Sequence, residues 1–207
     1  MDTDAARAFS AAGTGTADPF VSYRWPWCDP TFTEQFHGWA ASLIDVATDR
    51  YGIPAENVTY LGEKVEIAPE LIADRSTRNN VAAAIQVIAD QSAPADHVAI
   101  VFFGHGSFTD VARLNLPGRD PSADDFAGFL DALGDRRVTF VNTASASGPF
   151  VEALSAEGRV IMTATKTGRQ WNAAVLGYFV EAFTGEERLT KIKTSGFPCL
   201  KLLRMPV

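Results

Sequence analysis

Two stretches in the middle of the chain, Ile100-Val-Phe-Phe-Gly-His-Gly-Ser107 and Val138-Thr-Phe-Val-Asn-Thr-Ala-Ser-Ala-Ser-Gly148, decide the fold. Each is a run of β-branched and aromatic residues that stops at small, polar and flexible residues. Such a run predicts a buried strand that ends in a tight turn. The first strand delivers His105 at its carboxyl end and the second delivers Ser145. Because reactive groups collect at the carboxyl ends of parallel strands, we expect these two side chains to be neighbours.

The sequence on either side alternates between helical and strand patterns. Apolar residues recur at helical spacing in residues 33–49, 76–91, 122–133, 149–156 and 171–183, and strand-like runs occupy residues 57–62, 97–103, 137–141 and 159–164. Strands that alternate with helices at this spacing predict an α/β fold, with a mostly parallel sheet covered by helices on both faces. We assign this domain to residues 29–187.

Composition limits the function classes that remain. The chain has 207 residues, 46% of them hydrophobic and 21% charged, which suits one well-buried domain. No apolar run approaches the roughly 20 residues that cross a bilayer, and the first residues lack the basic start and apolar core of a signal peptide. The net charge of −7 argues against nucleic acid or an anionic membrane as a partner.

Neither a metal nor a cofactor is predicted. The two cysteines, Cys28 and Cys199, lie near opposite ends of the chain, outside any Cys-x-x-Cys or Cys/His pattern. We expect both to be packed or incidental. A small nucleotide-binding module is a weak alternative, because no glycine-rich phosphate loop follows a predicted strand.

His105 is the strongest candidate for a chemical role. An acyl-transfer site needs a nucleophile, a base within reach of it, and donors for the developing oxyanion. Among three histidines, only His105 falls at a predicted strand end in a glycine-flanked turn. His37 lies in a predicted helix and His97 just before a strand, so both are expected to be structural.

The two central stretches together resemble the catalytic segments of the caspase and legumain group of cysteine peptidases, with Ser145 at the position of the family's cysteine. The resemblance covers about residues 29–187 and is closest to a bacterial branch of legumain-type, caspase-like proteins. Three further segments carry it: Asn115-Leu-Pro-Gly118 with Arg119-Asp120, Gly158-Arg-Val-Ile-Met-Thr-Ala-Thr-Lys-Thr-Gly168, and Gly177-Tyr-Phe-Val-Glu-Ala-Phe183.

The resemblance implies a caspase-like α/β fold and a role for each site residue. His105 and Ser145 would be the catalytic pair, and the amides of Gly106 and Ser145 would be the oxyanion donors. The loop after the strand at 159–164 would line the pocket for the residue before the cleaved bond, with a peptide or protein as ligand. The candidate ligand-binding residues there are Thr165, Arg169 and Asn172. Arg169 would bind an acidic side chain, or else is an ordinary exposed loop arginine.

The serine leaves two functions open. A serine hydroxyl is a poor nucleophile until an oriented base removes its proton, whereas a cysteine beside histidine is readily a thiolate. The chain is therefore expected to be a degenerate homologue with a binding or accessory role. The alternative is an active hydrolase of peptide or ester bonds with Ser145 as nucleophile and His105 as base. Gly-x-Ser-x-Gly is absent, which argues against an α/β-hydrolase turn. Ser147 is a second hydroxyl in the turn and is expected to cap the next helix.

The sequence indicates that both ends of the chain are out-of-frame translations. Permissible codons for residues 187–207, read one base earlier, encode E-A-D-K-D-K-D-E-R-V-S-L-L-E-A-F-E-D-A-R, which has the acidic spacing of an EF-hand-like calcium loop. Codons for residues 18–27, read one base later, encode T-H-L-L-V-I-G-G-L-G, a buried strand that ends in glycines. We predict that residues 1–28 and the basic tail at 188–207 are out of frame. An export signal could have been lost with the first segment.

Overall fold

The computed structural model describes residues 30–171 and 175–185. The predicted out-of-frame ends and the candidate Asn172 lie outside these ranges. The helices are α1 (Pro30–Asp45), α2 (Arg78–Gln91), α3 (Ala123–Leu130), α4 (Pro149–Leu154) and α5 (Val175–Thr184). The strands are β1 (Leu61–Gly62), β2 (Asp74–Arg75), β3 (His97–Phe102), β4 (Gly106–Phe108), β5 (Ala112–Leu114), β6 (Arg137–Asn142) and β7 (Arg159–Thr163).

The central sheet consists of three parallel strands in the order β3-β6-β7. Phe102 pairs with Asn142, and Asn142 pairs with Thr163, so the three strands end level with one another. The prediction of an α/β fold with a mostly parallel sheet is confirmed. Its consequence for the site is that the loops after β3, β6 and β7 all leave the sheet at one edge.

One face of the sheet carries the main hydrophobic core. Val138 and Phe140 of β6 are fully buried there, and the Phe140 ring stacks on the Phe150 ring of α4 at 6.2 Å. The Phe126 ring of α3 meets both at 5.5 and 5.9 Å. Helices α2, α3 and α4 therefore cover this face. Burying side chains of this size contributes about 1.5–3 kcal/mol each.

The opposite face is covered by α1 and α5 on the β3 side. The Phe103 ring lies 6.3 Å from the Trp39 ring of α1 and 6.5 Å from the Phe179 ring of α5. Further along this face, Val160 and Met162 of β7 are exposed to 56% and 40%. Helices thus pack on both faces, as expected, but cover the second less completely.

The helix starts follow the capping residues in the sequence. The Thr77 hydroxyl accepts a hydrogen bond from the Asn80 amide at the start of α2. Ser122 caps α3 in a reciprocal box with Asp125. Arg78 then joins the two helices through a 2.8 Å ion pair with Asp125. This pair and the capping bonds hold the pKa of Asp125 down, at about 2.

One predicted strand is mostly lost. Residues 55–57 form a helical turn, and only Leu61 and Gly62 pair, in parallel with Asp74 and Arg75. Within the described ranges this short pair stays separate from the central sheet. The reason is that a wide cavity lies between residues 57–62 and β3, so neither edge has the other as a partner. No helix in the described part of the chain is both long and apolar enough to pass through a membrane.

Candidate functional site

The ends of β3 and β6 are tied together beside the candidate site. The Phe102 carbonyl accepts hydrogen bonds from the Thr143 amide at 3.2 Å and from the Thr143 hydroxyl at 2.7 Å. The parallel ladder therefore continues one residue past Asn142. Because of these hydrogen bonds, the turn that contains His105 and the turn that contains Ser145 leave the sheet next to each other.

The two turns touch through their backbones. A Cβ atom on Gly106 would lie 2.3 Å from the Ser145 carbonyl oxygen and 3.2 Å from the Ala144 Cβ. Only glycine allows so close an approach. His105 and Ser145 both line one cavity of about 1730 Å³. The structure thus brings the two predicted catalytic residues to the same sheet edge and the same cavity.

His105 sits in an aromatic surrounding. The rings of Phe32 and Phe36 from α1 both meet the imidazole edge-on, with centroids 5.1 Å away. The His105 carbonyl accepts a hydrogen bond of 2.9 Å from the Asn115 amide, which fixes the backbone. Burial lowers the pKa of His105 from its usual 6.5. The imidazole is therefore mainly neutral at pH 7, the form that can accept a proton.

The backbone at Gly106 leaves its amide pointing away from the hairpin. Strands β4 and β5 are antiparallel, with Gly106 opposite Leu114. Because the Asn115 amide donates to the His105 carbonyl, Gly106 and Leu114 occupy a non-hydrogen-bonded position of the ladder. The Gly106 N–H is thus directed to the side opposite β5. This geometry is compatible with the predicted oxyanion role, which stays a prediction.

The turn at Ser145 is strained and internally braced. Ser145 is only 9% exposed, and the next residue, Ala146, has φ = 59°. It is the only non-glycine residue with positive φ in the described ranges, a conformation that costs roughly 1–2 kcal/mol. The amides on either side of Ser145 are fixed, Ala144 to the Asn142 side chain and Ala146 to the Gln170 carbonyl. Strain of this kind is frequent where a reactive side chain must be presented.

Ser147 has a different role from the one predicted. It is fully buried, and its hydroxyl accepts a bond from the Thr165 amide at 3.1 Å and lies 3.2 Å from the Thr165 hydroxyl. The N-cap of α4 is Gly148, which has no side chain to cap with. The expectation that Ser147 caps this helix is therefore wrong, because its hydroxyl is hydrogen-bonded to Thr165 in the loop after β7.

Thr165 belongs to the same network. Its hydroxyl accepts a hydrogen bond from the Gly148 amide and donates one to the Thr167 carbonyl. Thr165 is 6% exposed and lies behind the cavity wall rather than in it. Its predicted role in ligand binding stays a prediction, and its hydroxyl is already hydrogen-bonded within the protein.

Residues 168–171 form the accessible wall of the cavity. Arg169 and Gln170 are exposed, and Trp171 is 72% exposed. The Gln170 side chain accepts hydrogen bonds from the amides of Lys166 and Thr167 and so shapes the loop. Arg169 is therefore part of the cavity wall, and its role in ligand binding stays a prediction.

Several cavity residues were not predicted. Phe36 was expected on the apolar face of a helix, but nothing in the pattern showed that it and Phe32 would enclose His105. Asn115 and Asp120 also line the cavity. Burial raises the pKa of Asp120, whose carboxylate accepts a hydrogen bond from the Leu116 amide. Both residues belong to the segment Asn115-Leu-Pro-Gly118 with Arg119-Asp120 that carries the family resemblance, but no role in the site was predicted for them from the sequence.

The described residues include no group of three or more side chains suited to hold a metal ion. Comparisons with protein-family models, with curated proteins and with solved structures found no match. What the site offers chemically is a neutral imidazole, a mostly buried hydroxyl on a strained turn, and a backbone amide directed away from its hairpin.

Proposed function

We propose that the chain is a caspase- and legumain-like peptidase homologue whose pocket binds a peptide segment without efficient catalysis. The observation that carries the proposal is the meeting of His105 and Ser145 at neighbouring parallel strand ends, in the wall of one cavity. A family resemblance in the sequence and this shared location point to the same two residues. Ser145 in place of cysteine is the reason to expect weak chemistry.

The surroundings of His105 oppose the charge that catalysis would create. When a base takes the proton of a serine, an imidazolium ion forms, and serine hydrolases stabilise it with a carboxylate. Burial between Phe32 and Phe36 acts in the opposite direction, since it lowers the pKa of His105. A cysteine would need less help, because its thiol loses a proton far more readily.

The cavity wall supports peptide binding. Arg169 offers a cation and Trp171 an exposed aromatic face on the same short loop. An extended peptide with one acidic side chain would pair with the guanidinium and lay an apolar neighbour on the indole. The protein has a net charge of −7, so selection for acidic ligands has to come from local cations, and Arg169 is the cation on the wall at residues 168–171.

A panel of fluorescein-labelled hexapeptides that differ only in one central residue (Asp, Asn, Arg or Ala) tests this proposal by fluorescence polarisation. We expect the Asp peptide to bind best, without turnover, and Arg169→Ala to weaken it about tenfold, as for loss of a charge-assisted contact. Arg137→Ala is the control, because Arg137 is exposed at the opposite end of β6. Equal binding of all four peptides, or equal loss in both variants, would refute the proposal.

The alternative is an active serine hydrolase, and the neutral state of His105 at pH 7 favours it. Labelling with a fluorophosphonate separates the two functions. We expect no covalent labelling of the wild type, since a serine hydroxyl is a poor nucleophile until a base removes its proton and burial of His105 opposes the imidazolium that would form. Labelling that disappears in Ser145→Ala would establish the hydrolase. Labelling that persists in this variant would point to another nucleophile, with the buried Ser147 the first to examine.

A further inference from the structure

The cavity extends far beyond His105 and Ser145, along the whole outer edge of β3. Every residue of β3, from His97 to Phe102, lines it. Consecutive residues of a strand point to opposite faces of a sheet. A space that touches all of them must therefore lie beside the strand, at the edge where another strand would pair.

The opposite wall of this space is also the edge of an extended segment. Residues 57–62 all line it in succession. On the side away from the cavity, this segment is already hydrogen-bonded. The Tyr60 carbonyl accepts a hydrogen bond from the Ala73 amide, and the Gly62 carbonyl accepts one from the Ser76 amide. Two main-chain edges thus face each other across the gap. Among the described residues, β3 has a partner only in β6, and mid-strand Ala99 is exposed.

The floor and roof of the gap are apolar. On one side α1 and the helical turn after it contribute Leu43, Ile44 and Ala47, and on the other α2 contributes Val81, Ile85 and Ile88. A strand that filled the gap would be buried on both faces and would read as a continuous apolar run. The whole cavity, which includes this gap and the walls at His105, Ser145 and residues 168–171, has a volume of about 1730 Å³, more than the 300–1,000 Å³ that is common for small-molecule pockets. The gap has the shape and lining for a strand rather than for a small ligand.

We propose that a parallel β-strand fills this gap, and that this strand is T-H-L-L-V-I-G-G-L-G, the segment that permissible codons for residues 18–27 encode when they are read one base later. Its six residues before the glycines equal the six residues of β3, and L-L-V-I is apolar without interruption. This inference is independent of the proposed peptide binding.

The chain order agrees with this occupant. Parallel neighbours need a crossover connection, usually a helix. A strand encoded at residues 18–23 would be followed by α1 from Pro30, and α1 by the segment at 57–62 on the far side of the gap. This is one strand–helix–strand unit with α1 packed over it. Because parallel strands run in the same direction, the glycines that follow the new strand would lie at the carboxyl-terminal end of the sheet, where His105 also lies.

The experiment adds the synthetic peptide T-H-L-L-V-I-G-G-L-G to the full chain and follows hydrogen exchange and thermal unfolding. With the peptide present, we expect the amides of residues 97–102 to exchange at least about tenfold more slowly than without it. The melting temperature should rise with peptide concentration. The control is T-H-L-P-V-I-G-G-L-G, because proline removes a ladder donor and is excluded from central strands.

A second arm replaces residues 18–27 with the same ten residues within the chain, again with the proline version as control. Protection of residues 97–102 by the intended sequence but not by its proline version, in either arm, supports the proposal. Equal effects of both sequences would show an unselective apolar cavity and overturn it. Unchanged exchange of residues 97–102 in both arms would overturn it as well.

Discussion

A hydroxyl and a thiol at position 145 would meet the same surroundings but differ in how easily they lose a proton. The turn holds this position at 9% exposure, beside the strained Ala146 and against Gly106. These features act on the backbone and do not depend on which atom the side chain carries. We therefore expect the turn to accept cysteine and to show what chemistry the site still supports.

Ser145→Cys should create a thiol that is alkylated with an apparent pKa below the usual value of about 8.5, because the neutral His105 imidazole lies at the same sheet edge and accepts the thiol proton. The measurement is the pH profile of the iodoacetamide rate. The variant Ser145→Cys with His105→Ala is the control and should shift the profile toward that of an ordinary thiol. A profile that is ordinary in both proteins would mean that the site no longer resembles a peptidase site.

Gly106→Ala should destabilise the protein, because a Cβ there would lie 2.3 Å from the Ser145 carbonyl oxygen and 3.1 Å from that of Arg113. We expect a loss of about 1–3 kcal/mol, as for overpacked sites. Gly128→Ala is the matched control. Gly128 lies inside α3 with nothing within 4 Å of the added atom, so alanine should stabilise by about 0.5–1 kcal/mol. Chemical denaturation measures both, and an unchanged Gly106→Ala protein would contradict the packing described here.

At the scale of the element, the junction of α2 and α3 depends on one carboxylate. Asp125 accepts from the Ser122 amide and from Arg78, and its pKa is about 2 in the folded protein. The unfolded value is higher, about 3.9, so the folded state binds this proton less tightly. The stabilisation is therefore complete above pH 4 to 5 and is lost as the pH falls toward 2.

Asp125→Asn should remove this pH-dependent stabilisation, about 1–2 kcal/mol after allowance for solvent screening. The measurement is the free energy of unfolding at pH 7 and at pH 3, where the difference between variant and wild type should shrink. Asp124→Asn is the control, since Asp124 is exposed in the same helical turn. A loss for Asp125→Asn that is the same at both pH values would assign the effect to shape rather than to charge.

The elements that the sequence predicts well are those whose signals are local. Thr77 and Ser122 mark the helix starts, and the β-branched runs that become β3 and β6 mark buried strands. Residues 57–62 have the same kind of local signal but form only a two-residue strand. A strand needs a partner edge, and in the described chain the neighbouring place is a gap.

At the scale of the whole molecule, the parallel sheet is what made the shared location of His105 and Ser145 predictable, because the carboxyl ends of parallel strands lie at the same edge. The surroundings were less predictable. Phe32 and Phe36 of α1 contact His105 although they are far from it in the sequence. The Ser147 hydroxyl accepts a hydrogen bond from the Thr165 amide instead of capping α4. Such contacts depend on how helices and loops settle on the sheet, which periodicity does not encode.

The frame prediction can be checked on the nucleic acid. The gene should use codons at residues 18–27 and 187–207 that allow the two alternative readings, with single-base displacements in opposite directions at the two ends. An unambiguous nucleotide sequence with other codons would reject the prediction. The check is separate from the peptide experiment, which tests the gap itself.

The hydrogen bonds that join the Ser145 turn to the loop after β7 have a consequence for how this protein can change over generations. Ser147, Gly148 and Ala146 are bonded to Thr165 and Gln170, so the two segments behave as one piece. A substitution that changes the conformation of the loop after β7 will therefore displace the turn at Ser145. A substitution in the turn will in the same way change the conformation of the loop. A change of the side chain at position 145 alone leaves these hydrogen bonds intact. We expect selection for folding to preserve the conformation of the turn whatever chemistry residue 145 performs.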